Sequence, residues 1–276
     1  MMMKKFVALA AAAVLAVGAL AGCGNTDSGA GSAGSGSAQQ GKTIAGVADL
    51  TGAKIAVQEG TTGDNYVTDE IEGAEISRFK RVVDAGMDLK NGKVDAVVVD
   101  DQVAKDLVGE IQGLKILPGN LTEEEYAIAV KKGSDELLSG INTAIADMTA
   151  AGTIDTIRKA YIDKDEAALK ELAAKEEPAG SEKLIMGTNA EFAPFEFMDD
   201  NNEIAGYDVE IAKEIARNMG RELVIENMNF DGLIAALSSG KVDMVIAGMT
   251  VDEERAQQVD FSDKYYKAAQ VIIVKE

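Results

Sequence analysis

Two stretches of the chain nearly repeat, "NGKVDAVVVDDQ" at residues 91–102 and "SGKVDMVIAGMT" at 239–250. Each runs from a small or polar residue through Gly, Lys, Val and Asp into an apolar run. The glycine follows the end of a helical pattern, and the apolar run reads as a strand buried on both faces. A buried strand set between helices, built twice in one chain, points to α/β architecture. The copies end differently, one in Asp100-Asp101 and the other in Gly248-Met249-Thr250. Ligands of such sheets sit outside the carboxyl ends of the strands. One rim therefore carries carboxylates, and the other carries backbone amides and a hydroxyl. Two lobes of opposite polarity suit a ligand that carries opposite charges.

The rest of the pattern alternates in the same way. Strands are expected at 53–58 ("AKIAVQ", ending at Gly60), 126–130 ("YAIAV") and in "KLIMGT", "ELVIENM", "VDMVIAG" and "AQVIIVK". Helices are expected over 134–151 and in "GTIDTIRKAYID", "GYDVEIAKEIARNMG" and "FDGLIAALSSG". In the third of these, Ile211, Ile215 and Met219 recur on one face. The alternation implies mostly parallel sheets. Residues 164–182 are charged, rich in Ala, Lys and Glu, and broken by Pro178 and Gly180. They read as an exposed helical extension that serves as a connector.

Composition narrows the function. With 276 residues and 46% apolar content, there is enough chain for one large or two smaller domains. The net charge of −20 argues against a nucleic-acid surface and fits solubility outside the cell. The chain has no His, which excludes a His-dependent triad or a His-ligated metal site. No cofactor and no metal are expected. At the N-terminus, Lys4 and Lys5 precede an apolar run that ends in small residues, the pattern of a secretory signal. The only cysteine, Cys23, closes Leu20-Ala21-Gly22-Cys23, which resembles the bacterial lipobox. That resemblance implies removal of residues 1–22 and lipidation of Cys23; the other reading is an ordinary signal peptide that happens to contain a cysteine. Residues 23–42, rich in Gly, Ser and Ala, then form a flexible tether. No later apolar run reaches membrane-spanning length, so the expected protein is anchored rather than spanning.

From residue 183 the resemblance becomes specific. "MGTNAEFAPFEFMDDNNEIAGYDVEIAKEIA", "NMNFDGLIAALSSGKVDMVIAGMTVDEERAQQVDFSDKYY" and "AKIAVQEGTTGDNY" resemble the polar amino-acid solute-binding proteins of ABC importers, family 3 of the extracellular solute-binding proteins. The resemblance implies a type II periplasmic-binding-protein-like fold, two α/β lobes joined by a hinge that closes on a ligand. The family's second half comes first here, so the chain resembles a circular permutation. The expected layout is lobe 2 at 43–125, a hinge crossing at 126–131, lobe 1 at 132–163 and 183–276, and a permutation connector at 164–182. The implied protein is extracytoplasmic, monomeric and membrane-anchored. It captures a free polar L-amino acid for the permease subunits of an ABC transporter and does no chemistry.

Site residues follow from both readings. Arg255 is either a helix arginine paired with neighbouring Glu or, by resemblance, the ligand carboxylate's partner through two parallel hydrogen bonds. Thr250 and Glu253 fit a capping box, while Thr250 with the amides around Ala247 and Gly248 would assist carboxylate binding. Asp100 is either a helix cap or the partner of the ligand ammonium, with the Gly248 carbonyl. Gly60 allows close backbone approach, so Thr61 and Thr62 are a turn or a second set of carboxylate contacts. Phe192 and Phe230 are implied plates around the ligand side chain, with Phe195 and Phe197 left to the core. Gln58, Asn189 and Glu191 are surface residues or readers of the ligand side chain. Glutamine, arginine, lysine and cystine all remain open as ligands. An alternative is a cyclohexadienyl or arogenate dehydratase-like enzyme on the same fold, for which Glu191 is the obvious proton donor. A sensor module is a third reading, without a kinase or second membrane segment to support it.

Overall fold

The computed structural model describes residues 41–276. The signal segment, Cys23 and most of the tether lie outside the described residues. One turn of 3-10 helix (Val47–Leu50) buries Leu50 and leads into β1 (Lys54–Gln58), α1 (Thr62–Glu70), β2 (Glu75–Phe79), α2 (Val82–Lys90), β3 (Ala96–Asp100), α3 (Asp101–Glu110) and β4 (Leu114–Ile116). Next come β5 (Glu124–Lys131), α4 (Asp135–Ala151), α5 (Thr153–Tyr161), α6 (Glu166–Ala173) and β6 (Lys183–Thr188). A small antiparallel sheet follows, made of β7 (Glu191–Phe192), β8 (Glu196–Met198) and β9 (Ile204–Ala205). The chain ends with α7 (Tyr207–Met219), β10 (Glu222–Asn227), a 3-10 turn (Phe230–Gly232), α8 (Leu233–Ser239), β11 (Met244–Val245), α9 (Glu253–Gln258), β12 (Val259–Ala268) and β13 (Gln270–Lys275).

Two five-stranded sheets result. The smaller lobe holds β2-β1-β3-β13-β4 and the larger holds β10-β6-β11-β5-β12. Strand β3 shows why its sequence is apolar throughout. Val97 and Val99 pack with α2 and α3, while Ala96 and Val98 pack on the other face with Leu50 and Val67. With both faces covered, every position is buried.

The repeated turn has a shared physical cause. Gly92 and Gly240 sit just past helices with φ of 70° and 75°, a left-handed conformation that glycine adopts without strain. Three residues on, Asp95 accepts from the Lys54 N–H at 2.9 Å, and Asp243 accepts from the Ile185 N–H at 2.8 Å. Each aspartate thus fixes the start of the neighbouring parallel strand, which is why both copies carry it.

Several expectations are corrected. The sheets are mixed rather than mostly parallel, because β13 runs antiparallel to β3 and β4, and β5 runs antiparallel to β11 and β12. Residues 126–131 do not cross between lobes; they are the interior of β5, paired with β12 along its length. The two crossings lie at 122–123, between β4 and β5, and at Ala269, between β12 and β13. Residues 270–276 therefore join the smaller lobe. Connector 164–182 is not simply exposed, since α6 buries Ala168 and Leu172 in the core. Its continuation binds α7, with the Arg217 Nε donating to the Glu176 carbonyl at 2.7 Å.

Candidate functional site: the cleft between the sheets

The two lobes meet across a cleft at the carboxyl ends of β1 and β3. Arg255 enters it from the first turn of α9. That helix is capped by Asp252, whose carboxylate accepts from the Arg255 N–H at 2.7 Å; the expected Thr250–Glu253 capping box does not form. The guanidinium is buried. Its Nη1 donates to the Thr250 carbonyl at 2.8 Å, its Nε faces Asp252 at 3.2 Å, and its Nη2 crosses the cleft to the Gly60 carbonyl at 3.1 Å. The Phe230 ring lies 5.4 Å from the guanidinium carbon, within cation–π range. Burial pulls the Arg255 pKa down, opposed by the charges of Asp252, then Glu124 and Asp100. Arg255 is therefore a desolvated cation under the influence of Asp252 and Glu124 of its own lobe and Asp100 of the other.

Asp100 ends β3 at the N-cap position of α3, yet its side chain makes no cap hydrogen bond. Its carboxylate instead accepts a short bond from the Tyr126 hydroxyl of the larger lobe. Burial, then the nearby charge of Glu124, pushes its pKa up to about 7. Asp101 turns outward to an exposed ion pair with Lys105 at 2.7 Å.

Other sequence-selected residues fall in two groups. Gln58 and Asn189 meet across the lobes, Nε2 to Oδ1, at 2.7 Å, and both are buried. Thr61 caps α1, donating to the Gln58 carbonyl at 2.8 Å, and Thr62 opens that helix half-buried. Phe192 is buried against Phe195 and against the backbone at Gly248. Ala247 is fully buried in a cluster with Leu233 and Val259. Thr250 is buried and donates to Glu124 at 2.6 Å. Glu191, by contrast, stands at the cleft's edge, 3.6 Å from Arg81 of the other lobe. It lines a 380 Å³ side cavity with Asp106, Glu110 and Phe197, so Phe197 is a wall residue rather than core. Near that edge, Lys80 bridges Glu59 of its own lobe and Asp231 of the other, both at 2.8 Å.

Gly248 is held in place from below. Its N–H donates to Asp208 at 2.7 Å, and Asp208 also accepts from the Tyr265 hydroxyl at 2.9 Å. Glu196, fully buried beside Asp208, is pushed well above the ordinary carboxyl range by burial and then by the Asp208 charge.

Sequence reading missed Glu124, Tyr126 and Gln270. Glu124 opens β5, is buried, and accepts from Thr122 and Thr250 at 2.6 Å each. It sits in an acidic triplet directly before an apolar run, and every residue from Tyr126 to Val130 is buried, so no alternation marks it out.

Residues 184–276 match the bacterial extracellular solute-binding proteins, family 3. Among curated relatives, the arginine-binding extracellular protein ArtP of Bacillus subtilis is 49% identical over 98 residues, covering 36% of this chain and 38% of the relative. ABC transporter arginine-binding protein 1 of Escherichia coli is 40% identical over 98 residues, 36% of this chain and 40% of that protein. A probable histidine-binding protein of Campylobacter jejuni is 45% identical over 83 residues, 30% of this chain and 32% of that protein. The matched part thus spans about two fifths or less of these relatives' length. Their names are those of binding proteins, not enzymes. Among solved structures, the arginine-bound form of domain 1 from TmArgBP aligns with a TM-score of 0.31 at 46% identity, covering 34% of this chain and 80% of that one.

Proposed function

We propose that the cleft binds a free cationic L-α-amino acid, arginine foremost, and that the chain is the extracytoplasmic binding subunit of an ABC importer. The observation that carries this reading is one buried guanidinium, Arg255, and one buried carboxylate, Asp100, contributed to a single cleft by different lobes. An α-amino acid is a zwitterion, with one charge for each. Its carboxylate pairs with Arg255, its ammonium with Asp100, and each end favours the closed arrangement because its partners come from both lobes. Preference for a cationic side chain is supported by relatives named for arginine and by Glu110 at the side cavity, whose other acids, Glu191 and Asp106, face Arg81 and Lys164. The protein is a monomer, held at the membrane through lipidated Cys23; detergent-phase partitioning of the full chain reports that tether.

The swapped order of halves belongs to the same reading. The family match starts at residue 184, whereas β5, α4 and α5, which precede it, complete the same lobe. Residues 164–182 join these two pieces.

Calorimetry against the twenty amino acids and cystine tests the function. L-Arginine is expected to bind, and Arg255→Ala to lose about 3–5 kcal/mol, because a buried carboxylate is left without its partner. Equal affinity in the variant, or no binding by any amino acid, overturns the assignment.

A further inference from the structure

We propose that Glu124 is a second carboxylate for the ligand's α-ammonium and sets the requirement for an α-amino group. This inference rests on the amino-acid reading above and extends it to a residue at the lobe crossing. Glu124 lies within one residue of the carboxylate-binding arginine. Thr250 connects them, its carbonyl accepting from Arg255 at 2.8 Å and its hydroxyl donating to Glu124 at 2.6 Å. In an α-amino acid the ammonium sits one carbon from the carboxylate. A ligand whose carboxylate meets Arg255 therefore brings its ammonium about one residue's width away, where Glu124 stands.

The second observation is Gln270, which is fully buried at the start of the other crossing strand. Its amide nitrogen reaches Glu124 at 3.5 Å, and it pairs with Asp100 in the sheet register, so it stands beside both acids. Its Oε1 has no partner. A buried amide oxygen without a donor and two buried carboxylates make this spot rich in acceptors, and burial of such groups is costly unless a donor meets them. Glu124 has accepting capacity left. Each oxygen takes one short bond, from Thr122 and from Thr250, whereas an ionised carboxylate offers about four lone-pair directions. Arg255 makes no direct ion pair with Glu124; the carboxylate it touches is Asp252. Glu124 is thus not simply the arginine's own counter-ion.

The experiment uses the intact chain, L-arginine and 5-guanidinopentanoate, which keeps the carboxylate and guanidinium but lacks the α-amine. Wild type is expected to prefer L-arginine. Glu124→Gln should weaken L-arginine at least tenfold and leave 5-guanidinopentanoate unchanged or tighter, collapsing the preference. Glu124→Asp, which keeps the charge, should retain part of it. A purely structural role would weaken both probes equally, and a competing counter-ion role would tighten both; either result overturns the proposal. If Glu124→Gln does not fold, a crystal of wild type with L-arginine decides. The ammonium nitrogen is expected about 3 Å from a Glu124 oxygen, and a separation beyond about 4 Å overturns the assignment. Should wild type bind L-arginine while Glu124→Gln changes nothing, only this inference fails. Should wild type bind neither probe nor any other amino acid, the amino-acid reading fails with it.

Discussion

Ligand binding should be linked to a proton on Asp100. Its carboxyl is raised to about 7 by burial and by the neighbouring Glu124 charge. An α-ammonium can pair only with the ionised form, so binding selects that form and releases the proton. The apparent dissociation constant is the intrinsic one divided by the ionised fraction. For a group titrating at about 7, that fraction is roughly one tenth at pH 6, one half at pH 7 and nine tenths at pH 8. Affinity for L-arginine is therefore expected to fall about tenfold from pH 8 to pH 6, or about 1.4 kcal/mol. Calorimetry at pH 6 in two buffers of different ionisation enthalpy should report release of nearly one proton per ligand. The chain has no histidine to supply a competing signal. The other acid raised to about 7, Asp208, is occupied by the Gly248 amide and the Tyr265 hydroxyl. Asp100→Asn separates the two: it should bind more weakly at pH 8 and lose the pH slope. A dissociation constant equal at pH 6 and pH 8 in wild type, or a slope that survives in Asp100→Asn, refutes the reasoning.

Two further outcomes can be checked directly. Gly248 has φ of 52°, and a Cβ there would fall 2.8 Å from the buried Phe192 ring. Gly248→Ala should therefore cost about 1–3 kcal/mol in urea unfolding and lower ligand affinity, since the ring and the rim loop must both shift; an unaltered midpoint opposes this account. The swapped order of halves predicts that a variant opened within 174–182, with Glu276 joined to residue 41 by a short linker, folds and binds L-arginine within about tenfold of wild type, since Gly41 and Glu276 line one cavity. Failure of that variant to fold argues against the swap.

How much could be read from the sequence depended on how each residue satisfies its needs. The continuous run in β3 was legible because burial on both faces leaves no room for polar residues. The glycines at 92 and 240 were legible because few other residues adopt a left-handed helix end. Asp95 and Asp243 were less so, because their partners are backbone amides of strands far along the chain. Residues 259–268 escaped notice as a strand. As the edge strand β12, they mix Asp, Lys and Tyr, and burial recurs only at Val259, Ser262 and Tyr265. Glu124 was hidden in an acidic triplet that looks solvated, and the continuous burial of β5 from Tyr126 to Val130 leaves no alternation to mark it. Residues 59–63 read as a glycine turn with hydroxyls. In the structure α1 already begins at Thr62, and Asp64 accepts from the Gly60 N–H at 3.0 Å, which ties the turn to the helix start.

The crossings also explain how the site is divided between open and closed arrangements. They are tied together at the base of the cleft, where the Gln270 N–H donates to the Thr122 hydroxyl at 2.9 Å. A rotation about that point displaces each group in proportion to its distance from it. Glu124 and Gln270 belong to the crossing strands themselves, and Asp100 pairs with Gln270 in the sheet register, so these acceptors move little. The contacts of Lys80 with Asp231, Arg81 with Glu191, Gln58 with Asn189 and Arg255 with Gly60 lie away from the crossings and must separate when the lobes part. On the proposed reading, the acceptors for the ligand's ammonium are then present before closure, and the second lobe's contact with Arg255 is completed by it. Thr250 is itself held beside the crossing, donating to Glu124 at 2.6 Å and bridged to Tyr126, so of the arginine's contacts only the one with the Gly60 turn of the other lobe depends on closing.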